Sequence, residues 1–213
     1  MRGAPSTRRF TDEPVSDEAL ARVLDNARFA PSGGNRQGWR VVVVTDADTR
    51  RRLRDLYQEP WDAYMVKTGG RAALEAGEAG GLAPGRLRML QGADEYARDF
   101  DRVPVHLVVC VELDALTLTD AELGRPSIVG GASIYPFVQN ILLGLRHEGL
   151  GAAFTTLLVP AEAQVRELLG IPEGVAVAGH IAVGHRADRW PRQLNRNPVQ
   201  AFAFSERYGE PWP

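Results

Sequence analysis

Apolar residues recur at helical spacing between positions 17 and 29. Leu20, Val23, Leu24 and Ala27 would share one face, with Ser16 as N-cap and Pro31 as the stop. The period then changes. Residues 40–45 carry the β-branched run Val41-Val42-Val43-Val44, which predicts a strand buried on both faces. A second helix is predicted over 46–57, with Arg50, Arg51, Arg52 and Arg54 as a solvated face. Residues 68–92 are rich in Gly and Ala, which predicts a helix interrupted at Gly80-Gly81 and Pro84-Gly85. Mobile lids often have this composition. A strand follows over 105–112. Residues 130–148 predict a long apolar helix, which Pro136 either kinks or begins. A strand over 152–158, a helix over 160–169 closed by Gly170, and a strand over 175–183 complete the series.

The 213 residues are expected to form one domain, 1–213, long enough for a sizeable core. The composition is that of an ordinary globular protein, 44% hydrophobic and 24% charged, with a formal net charge of −2. That balance gives no support to a nucleic-acid role. The one cysteine, Cys110, lies inside an apolar strand and reads as a small core residue; it excludes an intrachain disulfide. No apolar run is of membrane-spanning length, and Met1-Arg2-Gly3 does not lead into a signal-peptide core. The expected location is the cytoplasm. The four histidines show no metal-ligand spacing, and there is no nucleophile elbow, Walker loop or dinucleotide-fold glycine fingerprint.

From Arg186 to Pro213 the chain carries arginines, prolines and the aromatics Trp190, Phe202, Phe204, Tyr208 and Trp212. Such a tail cannot build its own core, and it holds too many aromatics for a disordered one. It is expected to lie across another surface.

The most chemically loaded stretch joins the first helix to the first strand: Ala30-Pro31-Ser32-Gly33-Gly34-Asn35-Arg36-Gln37-Gly38-Trp39. Ser32, Asn35 and Gln37 both donate and accept hydrogen bonds. Gly33 and Gly34 allow close backbone approach to a flat ligand. A flavin ring edge, which alternates N–H and C=O groups, suits such a loop; an ordinary turn has similar composition. Thr155 and Thr156 are small and polar enough to border a ring, or simply fill a strand.

The order of residues resembles the FMN-dependent nitroreductase family. The Ala-Pro-Ser-x-x-Asn-x-Gln-x-Trp signature stands here as Ala30-Pro31-Ser32, Asn35, Gln37 and Trp39. Gln139-Asn140-Ile141-Leu142-Leu143 with Glu148-Gly149-Leu150-Gly151, and the strand ending in Gly184-His185, follow in family order. Residues 58 to 102 match nothing. The resemblance implies an α+β fold, a three-layer sandwich with a central mixed, mostly antiparallel sheet flanked by helices. It also implies a homodimer whose C-terminal arm, 186–213, packs on the partner subunit with flavin at the interface. The implied FMN site comprises Ser6 and Arg8, the loop residues Pro31, Ser32, Gly33, Asn35 and Gln37, then Thr155, Thr156 and Leu157, and Arg196 near the end. Ser6 and Arg8 match the family's N-terminal phosphate and ribityl motif, so Arg8 is expected at the phosphate. The motif's first arginine falls on Ala4.

The implied activity is reduction of nitroaromatic, quinone or similar small-molecule acceptors by NADH or NADPH. Hydride passes through flavin N5 in a ping-pong cycle, with no protein residue as catalyst. Alternatives are a specialised branch, such as flavin fragmentation or dehalogenation, and a flavin-binding protein without turnover.

Overall fold

The computed structural model describes residues 1–212; the last residue of the expected arm, Pro213, lies outside them. Ten regular elements order the chain: α1 (Asp17–Ala27), β1 (Trp39–Val44), α2 (Ala47–Lys67), α3 (Gly70–Ala76), α4 (Pro84–Arg98), β2 (Val105–Glu112), α5 (Tyr135–His147), β3 (Gly151–Thr155), α6 (Glu162–Leu169) and β4 (Val175–Gly184). The strands form one sheet in the order β1-β2-β4-β3. Every ladder is antiparallel, and a single parallel bridge joins Ser6 to Ala152.

Side-chain alternation along the central strand β2 divides the core. Val105, Leu107, Val109 and Val111 face a cluster with Leu20 and Val23 of α1 and Ile141 and Leu145 of α5. Val108 and Cys110 face the opposite cluster, with α2, α4 and α6. Helices therefore cover both faces of the sheet, which is the expected three-layer α+β arrangement. Burial pushes the Cys110 thiol up to about 11, so this cysteine is an inert core residue.

The first helix starts where expected: the Ser16 hydroxyl accepts from the Ala19 N–H. Residues 105–112 form a strand with the expected bounds, and Gly170 closes α6 in the left-handed conformation. Other expectations are corrected. The valine run is an edge strand with Val43 exposed and Val41 and Val42 half-buried, not a strand covered on both faces. At the margin of the sheet the helix layers cover it only in part, Val42 packing on one core cluster and Val41 on the other. The second helix continues ten residues past Tyr57, through Pro60. A proline inside a helix costs about 3 kcal/mol. Burying Trp61 and Met65 contributes about 1.5–3 kcal/mol each, and both continue the four-residue spacing of Leu53 and Tyr57. Packing outweighs the break.

Residues 68–92 hold α3 and the first half of α4, interrupted at Gly77–Gly81, and α4 starts on Pro84. The long apolar helix begins at Tyr135, with Pro136 in its first turn. The strand predicted over 152–158 stops at Thr155, where a turn closes from the Val159 N–H to Thr156 O. The next helix begins at Glu162 after a single turn of 3-10 helix. Among the described residues, no helix is long and apolar enough to cross a membrane.

Candidate functional site

The N-terminal segment runs along the free edge of β3. The Thr7 N–H donates to Ala152 O at 2.7 Å. Thr7 is fully buried, and its hydroxyl accepts from Arg186 Nη1 at 3.1 Å. Gly151 permits this approach, since a Cβ there would lie 2.7 Å from the Thr7 methyl. Ser6 and Arg8, on either side of Thr7, remain exposed.

Besides a cavity of about 230 Å³ that Arg8 shares with Tyr96 and the acids Asp12, Glu95 and Asp99, two cavities border both this segment and β3. The larger, about 660 Å³, lies between β3 and the helices α2, α3 and α4. Its apolar wall includes Tyr57, Trp61, Met65, Met89 and Tyr96, and its polar margin is Arg8 with Thr155, Thr156 and Leu157. No carboxylate lines it. Arg8 has no hydrogen bond or ion pair from its side chain among the described residues. The Tyr96 hydroxyl is buried with no partner. Burial raises the Tyr57 phenol above its ordinary range; the Thr155 hydroxyl and the Arg8 charge oppose this. Asp94 ties the walls together by accepting from Trp61 Nε1 at 2.9 Å and Arg71 Nη1 at 3.2 Å.

The smaller cavity, about 90 Å³, is lined by Ala4, Pro5, Ser6, Arg146, Ala152 and Trp190, among others. Phe154 lines both cavities. A Cβ at Gly179 would come within 2.4 Å of the Phe154 ring, so glycine keeps that position open to the ring.

The structure thus brings Arg8, Thr155, Thr156 and Leu157 together in the large chamber and places Ser6 in the small cavity. Arg196 lies in a third cleft with Arg2 and Gln139, which shares Ala4 with the small cavity. Pro31, Ser32, Gly33, Asn35 and Gln37 line neither of the first two cavities in this chain. Their loop is ordered from within. Ser32 Oγ accepts from the Gln37 N–H at 3.0 Å, Gln37 Nε2 donates to Asn35 Oδ1 at 3.0 Å, and the Gly33 N–H donates to Ser133 Oγ at 3.0 Å. Asn35 and Gln37 both have positive φ, 55° and 52°, an unfavourable conformation for glutamine in particular. Trp39, the last motif residue, is a core anchor stacked on Phe137 at 4.8 Å.

Tyr57, Trp61, Tyr96 and Arg146 line these cavities and were not singled out by sequence reasoning. The four-residue spacing from Leu53 to Met65 was a usable signal for the first two. Arg146 had none.

Fold and cavities define an α+β protein with a ring-sized, acid-free chamber beside a phosphate-sized cavity. The chain belongs to the nitroreductase family, whose model, described as "Nitroreductase family", matches residues 1–185. It is 30% identical over 190 residues to a protein named NADH dehydrogenase from Thermus thermophilus, covering 86% of this chain and 83% of that one. It is 25% identical over 209 residues to the NADPH-flavin oxidoreductase of Vibrio harveyi, covering 96% and 71%. The solved structure of the NADPH:FMN oxidoreductase from Vibrio harveyi complexed with NAD+ superposes with a TM-score of 0.67 at 24% identity, covering 98% of this chain and 76% of that one. The expected family and fold are borne out, and the chain is an oxidoreductase of this family's kind.

Proposed function

We propose that this chain binds FMN and reduces a small-molecule acceptor, a nitroaromatic or quinone, at the expense of NADH or NADPH. The observation that carries the reading is the pair of cavities along β3. One is large and aromatic with a free guanidinium and no acid; the other is small and cationic, and Phe154 is common to both. An elongated ligand with a flat ring and a terminal phosphate fits this arrangement, and the relatives' names carry flavin chemistry. Bound FMN would supply the two-electron chemistry between donor and acceptor.

The chain's own residues would bind and bias it. Tyr57, Trp61 and Tyr96 exclude water from the ring. Arg8 opens into the large chamber, whereas Ser6 opens into the small one, so we assign Arg8 to the ring edge rather than to the phosphate. A fixed guanidinium there favours negative charge building on the ring.

The loop Ser32–Gln37 belongs to the same site if two copies of the chain come together, the loop of one completing the chamber of the other. Its outward polar groups and strained Asn35 and Gln37 support that assignment. So do exposed aromatics in the arm: Phe202, Tyr208 and Trp212 need a surface to cover.

The test is the visible absorbance spectrum of the purified protein. Denaturation should release FMN, and NADH or NADPH should be consumed steadily when an acceptor is added. A protein that neither retains nor takes up FMN would overturn the reading. One that binds FMN but shows no turnover would reduce it to a flavin-binding protein.

A further inference from the structure

Arg146 sits in the last turn of α5, half-buried, and is held from two sides. Its Nε donates to Gly3 O at 3.2 Å, and its guanidinium stacks over the Trp190 ring at 3.9 Å. It has no carboxylate partner among the described residues. Its neighbour Glu148 is taken by Arg22, at 2.7 Å. The other arginine over Trp190, Arg186, is already engaged with Thr7 and Asp188. The two terminal nitrogens of Arg146 make no hydrogen bond among the described residues, and the residue lines the small cavity with Ser6. A guanidinium so fixed, with its free donors beside a hydroxyl in a cavity of about 90 Å³, suits a tetrahedral oxyanion and excludes a ring.

We propose that Arg146 and Ser6 form the subsite for the terminal phosphate of the flavin cofactor, with Trp190 as the platform that presets the guanidinium. This rests on the FMN reading above. It also explains how the chain manages with Ala4 where the resembling motif has an arginine: the cation enters from α5 instead of from the N-terminal strand. Because Trp190 belongs to the C-terminal arm, the subsite ties the arm's position to cofactor retention. Stacking reduces the ordering cost on binding, since the side chain is already held in one geometry.

The experiment titrates cofactor-free protein with FMN and with riboflavin, which lacks the phosphate, following flavin fluorescence. Charge-assisted hydrogen bonds of this kind predict that Arg146→Gln weakens FMN by about tenfold or more and riboflavin by less than about twofold. Arg146→Lys should recover part of the FMN affinity, and Trp190→Leu should weaken FMN selectively. Inorganic phosphate should compete with FMN in the wild type and much less in Arg146→Gln. Equal weakening of both flavins, with a lower melting temperature of the cofactor-free variant, would overturn the proposal and make Arg146 a strap between α5 and Gly3. Unchanged FMN affinity would also overturn it and move the phosphate towards Arg196. A wild type that binds neither flavin would sink the FMN reading itself, a distinct outcome.

Discussion

Two histidines buried side by side in the core should make this fold acid-sensitive in a narrow pH window. His106 Nδ1 and His180 Nε2 lie 2.7 Å apart on adjacent strands. Both rings are fully buried, and Phe100 packs on them with centroids 4.5 and 4.8 Å away. One proton bridges the facing nitrogens. The outer nitrogens, His106 Nε2 and His180 Nδ1, have no hydrogen-bond partner among the described residues. Burial, helped by the Arg50 charge from α2, lowers His106 to about 3, while the Phe100 carbonyl opposes the shift. Burial followed by the His106 charge drives His180 well below its ordinary value.

His106 is therefore neutral in the folded protein at pH 5, and His180 is shifted the same way; in the unfolded chain each takes a proton below about 6.5. The folded values are depressed, so the unfolded state binds more protons, and stability is full above pH 6.5 and falls as the pH drops towards 3. The slope is about 1.4 kcal/mol per pH unit per ring. From pH 6.5 to 5 that amounts to about 2 kcal/mol for His106, and His180, shifted in the same direction, adds to the loss. Domain stabilities of about 5–15 kcal/mol make this a large loss. Urea denaturation at pH 5, 6, 7 and 8 measures it, with His106→Leu/His180→Leu as the control. His147 and His185 remain in both proteins, so their contribution cancels. The double variant should lose most of the dependence between pH 5 and 6.5, and the single variant His180→Leu part of it. Equal slopes in wild type and variants would refute the reasoning, by showing that the two imidazoles take up protons as readily in the folded protein as in the unfolded chain.

Three further outcomes are expected. Arg8→Ala should weaken FMN and riboflavin together, by about tenfold as for a charge-assisted contact, because Arg8 opens into the ring-sized chamber; selective loss of FMN in the titration would return it to the phosphate. Asn35→Ala should slow single-turnover reduction by NAD(P)H or lower the bound flavin's potential with the fold intact. A lower melting temperature with an unchanged potential and reduction rate would leave Asn35 as a turn residue only. Gly151→Ala should destabilise the protein by about 1–3 kcal/mol in thermal unfolding, because the new methyl would collide with Thr7 and lift the N-terminal segment from β3; an unchanged melting temperature would show that the segment yields freely.

The local pattern was enough to determine much of this protein. A continuous apolar run placed β2, and the 3.6-residue spacing of apolar positions placed α1, because a strand buried on both faces and a helix on a core impose these patterns whatever surrounds them. Gly170 and Pro136 marked element ends, because their backbone constraints act within a turn. The order Pro31-Ser32…Asn35…Gln37…Trp39 identified the family. What needed the tertiary structure was everything that depends on distant neighbours. The helix through Pro60 exists because Trp61 and Met65 find a core that the propensity of residues 58–67 does not reveal. The valine run is an edge strand because sheet order is set by pairing across the whole chain. Ser6 and Arg8, two residues apart, open into different cavities, and Arg146 meets Ser6 only because α5 and the N-terminal segment pack on the same end of β3. A cavity is a property of surfaces brought together from remote segments, so its lining is settled by packing and not by sequence spacing.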